Sequence, residues 1–263
     1  MDIQPSLLAL LRSAITGDKT RSTTAVCPDR YAQAYELACS LGLDWWAVLR
    51  AVPEPGLPWM NDVRPWLDCM GISPHRPVLY PFCCDHVSRT LPLYAQAFPD
   101  DARLHHAVAV AHRSARGESS REDLQDAMEE SSTVEVEEDW MKQRFGRLVV
   151  TLCQKPESND RILGQLHTLS LQLHGEVAAD DAVAKMPAEA QAAWSAYRER
   201  MSRYQMLSTL GKKILKQEIG RAFGGAWEAA RDTAQAAEKA AREAERRVLW
   251  TMLIARVQQH TRR

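Results

Sequence analysis

The chain has 263 residues and a formal net charge of −1 at pH 7, with 45% hydrophobic and 25% charged residues. This is the composition of an ordinary globular protein that can bury a sizeable core, as one large domain or two smaller ones. No apolar run approaches the roughly 20 residues that cross a bilayer, which excludes a membrane-spanning helix. Asp2 precedes the N-terminal apolar segment and no Lys or Arg does, which argues against a signal peptide. We therefore expect a cytoplasmic protein that does not bind membranes.

The first part of the chain predicts short helices separated by breaks. An amphipathic segment at residues 5–15 comes first, and a helix over 29–50 follows with a kink near Gly42. Residues 53–58 break the chain, and helix resumes near residue 61. Four tryptophans fall in this part: Trp45, Trp46, Trp59 and Trp66. Four tryptophans so close in sequence suit an aromatic ligand-binding pocket. An aromatic stripe at helical spacing is more typical of a hydrophobic core, so we expect these residues to pack inside the protein.

Residues 80–118 predict two helices joined by a short turn at residues 99–101. Apolar residues recur at three- and four-residue spacing on both sides of that turn, which places each set on one helical face. The two sets are Phe82, Val87, Leu91 and Tyr94, then Leu104, Ala107, Val108, Ala111 and Ala115. Asp100 or Asp101 can cap the second helix, and Gly117 is typical of the left-handed residue that ends one. The stretch therefore predicts an αα-hairpin.

The hairpin also carries an ordered set of small, charged and proline residues. They are Cys83, Asp85-His86, Leu91-Pro92-Leu93-Tyr94, Pro99-Asp100-Asp101-Ala102-Arg103, Ala107, Ala111 and Ala115-Arg116-Gly117-Glu118. In this order the residues resemble the helical module of predicted immunity proteins of the Imm-5 type. Families of that kind are thought to protect a bacterium from a polymorphic toxin by binding it. The resemblance implies a bacterial protein whose partner is a cognate protein toxin.

A strongly acidic stretch follows. Ser119 and Glu122 predict a capping box that opens a third helix, and we expect helix on both sides of residues 131–133. Between residues 118 and 139 there are ten acidic residues and one basic residue, a net charge of −9. The stretch is either a solvated face with a mobile turn or a surface that attracts a basic partner, because clustered charge raises association rates. The candidate partner-binding residues are Glu122, Asp123, Asp126, Glu129, Glu130, Glu135, Glu137, Glu138 and Asp139.

Residues 155–157 (Lys-Pro-Glu) are the predicted boundary between an N-terminal helical domain, 1–154, and a C-terminal helical region, 155–263. The two regions can also pack as one domain. The next helix carries one apolar stripe, made of Ile162, Leu166, Leu169 and Leu173. A loop is expected at residues 178–186, and a helix over 188–223 follows it.

The longest predicted helix covers residues 226–259. Small and apolar residues recur along it in steps of three and four, as in a heptad seam. They are Trp227, Ala230, Ala234, Ala237, Ala241, Ala244, Val248, Thr251 and Ala255. The partner of this Ala-rich seam is either the 188–223 helix, folded back as a long hairpin, or a second copy of the chain in a homo-oligomer.

The C-terminal part is basic. From residue 198 to 263 there are fifteen Lys or Arg residues and seven Asp or Glu residues, a net charge of +8. A local basic excess is the usual footprint of nucleic-acid binding through phosphates, although Lys and Arg are also good helix formers and can dock on an acidic face. The candidate nucleic-acid-binding residues are Lys212, Lys213, Lys216, Arg221, Arg246 and Arg247.

The sequence carries no catalytic or metal-binding signature. It contains no GxGxxG, GxSxG or HExxH motif and no Walker lysine loop. Its cysteines lack CxxC spacing, so we expect buried or half-buried free thiols at Cys27, Cys39, Cys69, Cys83, Cys84 and Cys153. His167 and His174 are two helical turns apart, too far to share one ion, and we expect both at the surface or half-buried. We expect no metal, no cofactor and no enzymatic activity.

The sequence thus predicts an all-α protein, a multi-helix bundle of αα-hairpins with a long C-terminal helical hairpin. The expected function is that of an immunity protein that binds a bacterial toxin and occludes its active site. The alternative is a nucleic-acid-associated protein that uses the basic C-terminal hairpin.

Overall fold

The computed structural model describes residues 28–51, 63–137, 139–154, 160–203 and 209–262, and their regular structure is helical throughout. The helices are α1 (Pro28–Ser40), α2 (Trp45–Ala51), α3 (Val63–Cys69), α4 (Arg76–Ala97), α5 (Arg103–Arg116), α6 (Arg121–Glu135), α7 (Trp140–Cys153), α8 (Asp160–Val183), α9 (Ala188–Arg203), α10 (Thr209–Phe223) and α11 (Gly225–Thr261). They pack as a multi-helix bundle, which confirms the all-α prediction. None of the helices in these ranges is long and apolar enough to span a membrane.

The predicted helix over 29–50 is two helices. Gly42 adopts a left-handed backbone conformation, with φ of 65°, and separates α1 from α2. Trp45 is buried and meets Tyr35 edge to face, with ring centroids 5.3 Å apart, as expected of core packing. The predicted segment 5–15, Trp59 and the side chain of Trp66 lie outside the described residues.

Helix α4 is the central helix of the bundle. It contacts α5, α7, α8 and α11, and a helix surrounded by others must be apolar on more than one face. Its buried residues are accordingly Val78, Leu79, Tyr80, Phe82, Cys83, Cys84, His86, Val87, Thr90, Leu91 and Tyr94. The apolar face expected from the sequence is therefore correct but covers only part of the buried surface.

The α4–α5 hairpin has the predicted form. Gly117 ends α5 in the left-handed conformation, with φ of 76°, and its N–H group donates to the carbonyl groups of Arg113 and Ser114. At the start of α5, the Asp101 carboxylate accepts a hydrogen bond from the backbone N–H of Arg103, at 3.2 Å. Asp101 therefore satisfies one of the donors that open the helix.

The capping box of α6 lies one residue later than predicted. Ser120, not Ser119, accepts a hydrogen bond from the backbone N–H of Asp123, at 2.9 Å, and the Asp123 carboxylate accepts one from the N–H of Ser120, at 2.7 Å. An aspartate three residues after the cap can close the box as a glutamate does, which the sequence pattern did not anticipate. Glu122 is consequently an exposed residue of the first turn.

The expected break at residues 131–133 is absent, because α6 continues to Glu135. The hydroxyl groups of Ser131, Ser132 and Thr133 donate to carbonyl groups three or four residues earlier in the same helix. These bonds satisfy the hydroxyl groups without ending the helix. Helix α7 then starts at Asp139, whose carboxylate caps the N–H groups of Met141 and Lys142.

Helices α6 and α7 approach each other very closely at Gly146. A methyl group at this position would lie 2.5 Å from the backbone nitrogen of Glu135. Only a residue without a side chain allows this approach. The acidic end of α6 is thereby fixed against α7.

The C-terminal helices differ from the prediction at two places. Residues 178–183, expected in a loop, belong to α8, because Ala179 and Val183 are buried against Ala190, Ala230 and Ala234. The predicted 188–223 helix appears as α9 and α10, and residues 204–208 between them lie outside the described part. The predicted domain boundary at 155–157 lies outside it as well.

Helix α11 has the predicted length but a different main partner. Its 37 residues extend about 55 Å at 1.5 Å per residue. It packs chiefly against α8, with smaller contacts to α9 and α10. The folded-back hairpin with 188–223 is therefore only a minor part of its packing.

The seam of α11 is correct in its first half and wrong in its second. Trp227, Ala230 and Ala234 are buried as predicted, whereas Ala244, Thr251 and Ala255 are exposed. The residues buried further along are Glu245, Leu249, Trp250, Leu253, Ile254 and Val257. The predicted seam has a 3.5-residue period, which drifts by about 20° per heptad from the face of a straight helix with 3.6 residues per turn, and the charged Glu245 among the buried residues concealed this shift.

The main hydrophobic core joins both predicted regions. It includes residues of α1 to α7 together with Leu163, Leu166, Leu171 and Leu173 of α8 and the second half of α11. Two smaller clusters lie where α8, α9, α10 and the first half of α11 meet. One continuous core thus extends across the chain on both sides of residue 155.

Candidate interaction surfaces

The carboxylates predicted to bind a partner fall into two groups. The first group is used within the molecule. Asp123 and Asp139 cap helices, Glu130 contacts Nδ1 of His106 at 2.9 Å, and Glu135 pairs with Arg147 at 2.9 Å. Glu137 pairs with Arg103 and Lys142. Glu138 lies outside the described residues.

Glu137 belongs to an ionic network that joins the α4–α5 turn to the α6–α7 turn. The Arg103 guanidinium donates to Asp101 at 2.6 Å and to Glu137, and Lys142 donates to Glu137 at 2.7 Å. Tyr94 donates its hydroxyl hydrogen to Asp101 at 2.7 Å. Lys142 also lies 4.9 Å from the ring centroid of Phe98. The network ties two connections that are more than thirty residues apart in the sequence.

The protonation states in this network are those of a matched ionic cluster. The hydrogen bond from Arg103 holds the pKa of Asp101 far below its usual range. Hydrogen bonds from Lys142 and then Arg103 lower the pKa of Glu137. Burial, followed by the bond to Asp101, raises the pKa of Tyr94. The Pro-Asp-Asp-Ala-Arg order at residues 99–103 therefore has a structural role in this molecule.

The second group of carboxylates forms an outward stripe on α6, made of Glu122, Asp126 and Glu129. Their spacing of four and then three residues places them on one face of the helix, and all three are exposed. Glu129 accepts a hydrogen bond from Gln125 at 2.9 Å. None of the three forms an ion pair within the described part of the chain. We call these three residues the acidic stripe.

The predicted basic residues do not form one surface. Lys213, Lys216 and Arg221 are exposed on α10, near the start of α11. Arg247 is exposed about 30 Å further along α11, some twenty residues from Trp227 at 1.5 Å per residue. Arg246 is half-buried beside His167, and the side chain of Lys212 lies outside the described part. The +8 charge of this region is thus spread along two helices.

A buried polar cluster between α4, α8 and α11 was missed by the sequence analysis. Arg89 of α4 donates two hydrogen bonds to Glu245 of α11, at 3.1 and 3.0 Å, and Nε2 of His174 lies 3.6 Å from the same carboxylate. Glu245 is only 5% exposed. The sequence contained one sign of this cluster. Glu245 is a carboxylate in an otherwise Ala-rich row of α11, and α8 carries two histidines that are two turns apart.

Two histidines extend this cluster into the core. The rings of His86 and His167 are 5.7 Å apart, and both are almost fully buried. The prediction of a surface or half-buried His167 is therefore wrong, whereas His174 is half-buried as expected. Burial lowers the pKa of His86 well below its usual value, with help from His167, and lowers the pKa of His167 to about 3. Both rings are neutral at pH 7.

The described residues contain no cluster of three or more His, Cys, Asp or Glu side chains arranged to hold a metal ion. Cys83, Cys84 and Cys153 are buried free thiols, as expected, whereas Cys39 is exposed in the last turn of α1, so the expectation of burial is wrong there. Cys27 and the side chain of Cys69 lie outside the described part. Comparison of the chain with protein-family models, with curated proteins and with solved structures finds no match.

Proposed function

We propose that this protein is a non-enzymatic immunity protein that binds a basic surface of a toxin domain through the acidic stripe and occludes it. One observation carries the proposal: Glu122, Asp126 and Glu129 lie on one exposed face and pair with no cation among the described residues, whereas Asp123 and Asp139 cap helices and Glu130, Glu135 and Glu137 are paired. The resemblance of residues 80–118 to Imm-5-type immunity proteins supports the same class of partner.

The charges of the acidic stripe repel one another within the folded helix. Like charges at four-residue spacing destabilise a helix by about 0.2–0.5 kcal/mol per pair. Glu122 lies in the first turn, where the helix dipole favours a negative charge, but Asp126 and Glu129 lie beyond it. Apart from the hydrogen bond that Glu129 accepts from Gln125, these two carboxylates make no stabilising contact among the described residues, which is the expectation for charges that serve a partner.

The mechanism follows from electrostatic steering. Three carboxylates on one rigid helix attract a basic groove before contact, which raises the association rate, and salt screens that attraction over about 10 Å. Once docked, α6 and its neighbours cover the groove and exclude its substrate. Because Gly146 and the Asp101 network hold α6 against α7 and α5, the stripe is presented on a preformed surface.

The test is capture with a matched control. The tagged wild-type chain, the variant Glu122→Lys/Asp126→Lys/Glu129→Lys and the control Glu36→Lys/Glu189→Lys/Glu228→Lys are expressed in the native host, and co-purifying proteins are identified by mass spectrometry. All control positions are exposed carboxylates on other helices. We expect one stoichiometric basic partner with the wild type and the control and none with the stripe variant. Equal capture by all three chains would contradict the role of the stripe.

Nucleic-acid binding is less well supported by the geometry. Lys213, Lys216 and Arg221 are exposed on α10, about 30 Å from Arg247 along α11. If they bind phosphates, affinity for a labelled DNA duplex should fall steeply with salt and be lost in Lys213→Glu/Lys216→Glu. Salt-insensitive or absent binding would remove this candidate.

A further inference from the structure

A cleft lined by basic side chains lies where α4, α5 and α11 meet. It has a volume of about 530 Å³, which is in the range of sites for small molecules. Pro77 and Pro81 of α4 form one wall. The polar lining consists of His112 and Arg116 from the end of α5 and of Arg256, Gln259 and His260 from the end of α11. None of the described residues that line the cleft carries a carboxylate.

The two arginines keep donors that their neighbours do not use. Arg256 directs Nε and Nη2 to one oxygen of Asp85 of α4, so its Nη1 group has no partner among the described residues. Arg116 donates through Nε to Glu118 at 2.8 Å, and both of its Nη groups lack such a partner. The carboxylates thus orient the guanidinium groups and leave N–H groups available. Guanidinium groups bind carboxylate and phosphate oxygens with two parallel hydrogen bonds.

The hydrogen bonds of Ser88 define the state of the His112 ring. Ser88 donates its only hydroxyl hydrogen to the carbonyl oxygen of Cys84, at 2.9 Å, so it must accept from Nε2 of His112, also at 2.9 Å. Nε2 therefore carries a hydrogen, and Nδ1 is the nitrogen that gains the second proton. Burial lowers the pKa of His112, Asp85 opposes this shift, and Arg116 and Arg256 add to it. The ring is neutral at pH 7 and becomes a second donor when an anion stabilises its charged form.

We propose that this cleft binds a small ligand through an oxyanion, a phosphate or carboxylate group held by Arg116, Arg256 and His112. Gln259 and His260 line the remaining wall and contact the rest of the ligand. Binding is linked to uptake of a proton by His112, so affinity increases as the pH falls. This site is independent of the acidic stripe, which lies on another helix and attracts the opposite charge.

The test uses sulfate and acetate as probes, because sulfate stays a dianion at neutral pH and isolates the titration of the protein. The full chain is titrated at constant ionic strength by isothermal calorimetry and by the NMR signals of the histidine rings, between pH 6 and 8. We expect saturable binding and shifts at His112. A preference for sulfate indicates a phosphate-type ligand, and a preference for acetate a carboxylate ligand.

Three variants distinguish a specific anion-binding site from non-specific attraction to positive charge. Arg116→Gln, at an exposed position, is expected to weaken binding about tenfold, the loss typical of one charged hydrogen-bonding group. His112→Gln should bind with little dependence on pH. Arg121→Gln removes the same charge from the exposed first turn of α6 and should bind as the wild type does. Failure of both probes to saturate at tens of millimolar, or equal weakening by Arg121→Gln and Arg116→Gln, would overturn the proposal.

Discussion

Two acidic regions of the molecule use the same kind of side chain in opposite ways. At the α4–α5 and α6–α7 turns, Asp101 and Glu137 are matched by Arg103 and Lys142, and Arg103 joins the two turns by pairing with both carboxylates. On the outward face of α6, Glu122 and Asp126 are matched by no cation among the described residues. The comparison teaches that an acidic run in a sequence is not one functional unit, because distant cations decide which of its charges remain available.

Lowering the pH is expected to give the largest change in the free energy of unfolding. The pH range in which stability is lost distinguishes the buried histidines from the matched carboxylates. His86 and His167 have folded-state pKa values below those of the unfolded chain, so the unfolded state takes up protons first. The free energy of unfolding should therefore fall as the pH drops below about 6.5, by about 1.4 kcal/mol per pH unit for each histidine. Urea unfolding followed by circular dichroism between pH 8 and 3 measures this slope.

The contribution of the Asp101 network appears in a different pH window. The pKa values of Asp101 and Glu137 are lowered on folding, so their stabilisation is present above the unfolded values near 4 and is lost below them. His167→Met should reduce the slope from pH 6.5 down to about pH 3, where the folded state also takes up the proton, whereas the part of the slope that comes from Asp101 and Glu137 appears only below about pH 4. A profile that is flat down to pH 4 in the wild type would contradict the histidine assignment.

Gly146→Ala is expected to force α6 and α7 apart. The added methyl group meets backbone atoms of Glu135 rather than a mobile side chain, so the helices must move apart at a loss of about 2–3 kcal/mol of stability. Thermal and urea unfolding measure the change. Gly225→Ala, at the start of α11, serves as the control and should be close to neutral or slightly stabilising, because a methyl group there meets no atom within 4 Å and alanine favours a helix.

Arg103→Gln breaks the matched region alone. The variant leaves Asp101, which is 11% exposed, without its main cation, and loss of one partner from a partly buried pair destabilises by about 2 kcal/mol after allowance for solvent. The loss should shrink when Asp101→Asn is added, since the unpaired charge is then absent. Additive losses in a double-mutant cycle would show that the pair does not couple.

Neutralising the unmatched region should have the smallest effect on stability. Glu122→Gln/Asp126→Gln/Glu129→Gln removes like-charge repulsion, so we expect a change within about 0.5 kcal/mol, in either direction. The association rate with a basic partner should nevertheless fall, most strongly at low salt. A loss of stability comparable to that of Arg103→Gln would show that the stripe has a structural role and would remove the distinction between the two regions.

The sequence was sufficient wherever a local pattern determines the structure. The α4–α5 hairpin, the end of α5 at Gly117 and the length of α11 follow from spacing and capping within a few residues. The capping box at Ser120 was missed by one position because Asp123, like a glutamate, can close it. Such errors are errors of local register and leave the fold unchanged.

The remaining differences arise from contacts that no local pattern contains. The pairing of α11 with α8 buries Glu245, which the sequence pattern places at the surface until Arg89 and His174 are placed beside it. The basic cleft likewise combines residues more than a hundred positions apart, among them His112 and Arg256. The spacing of residues within one helix predicts which face is apolar, but the packing of the whole chain decides which other helix that face contacts.

The packing of α11 also has a consequence for synthesis of the protein on the ribosome. The main core contains residues of the early helices together with Leu249, Leu253 and Val257, near the end of α11. The nascent chain therefore cannot complete this core until α11 has left the exit tunnel, and until then it exposes the apolar faces of α4 and α8. Exposed faces of this kind make incomplete chains prone to aggregation. The late helix thus leaves the newly made chain open to aggregation until residue 257 has emerged from the ribosome.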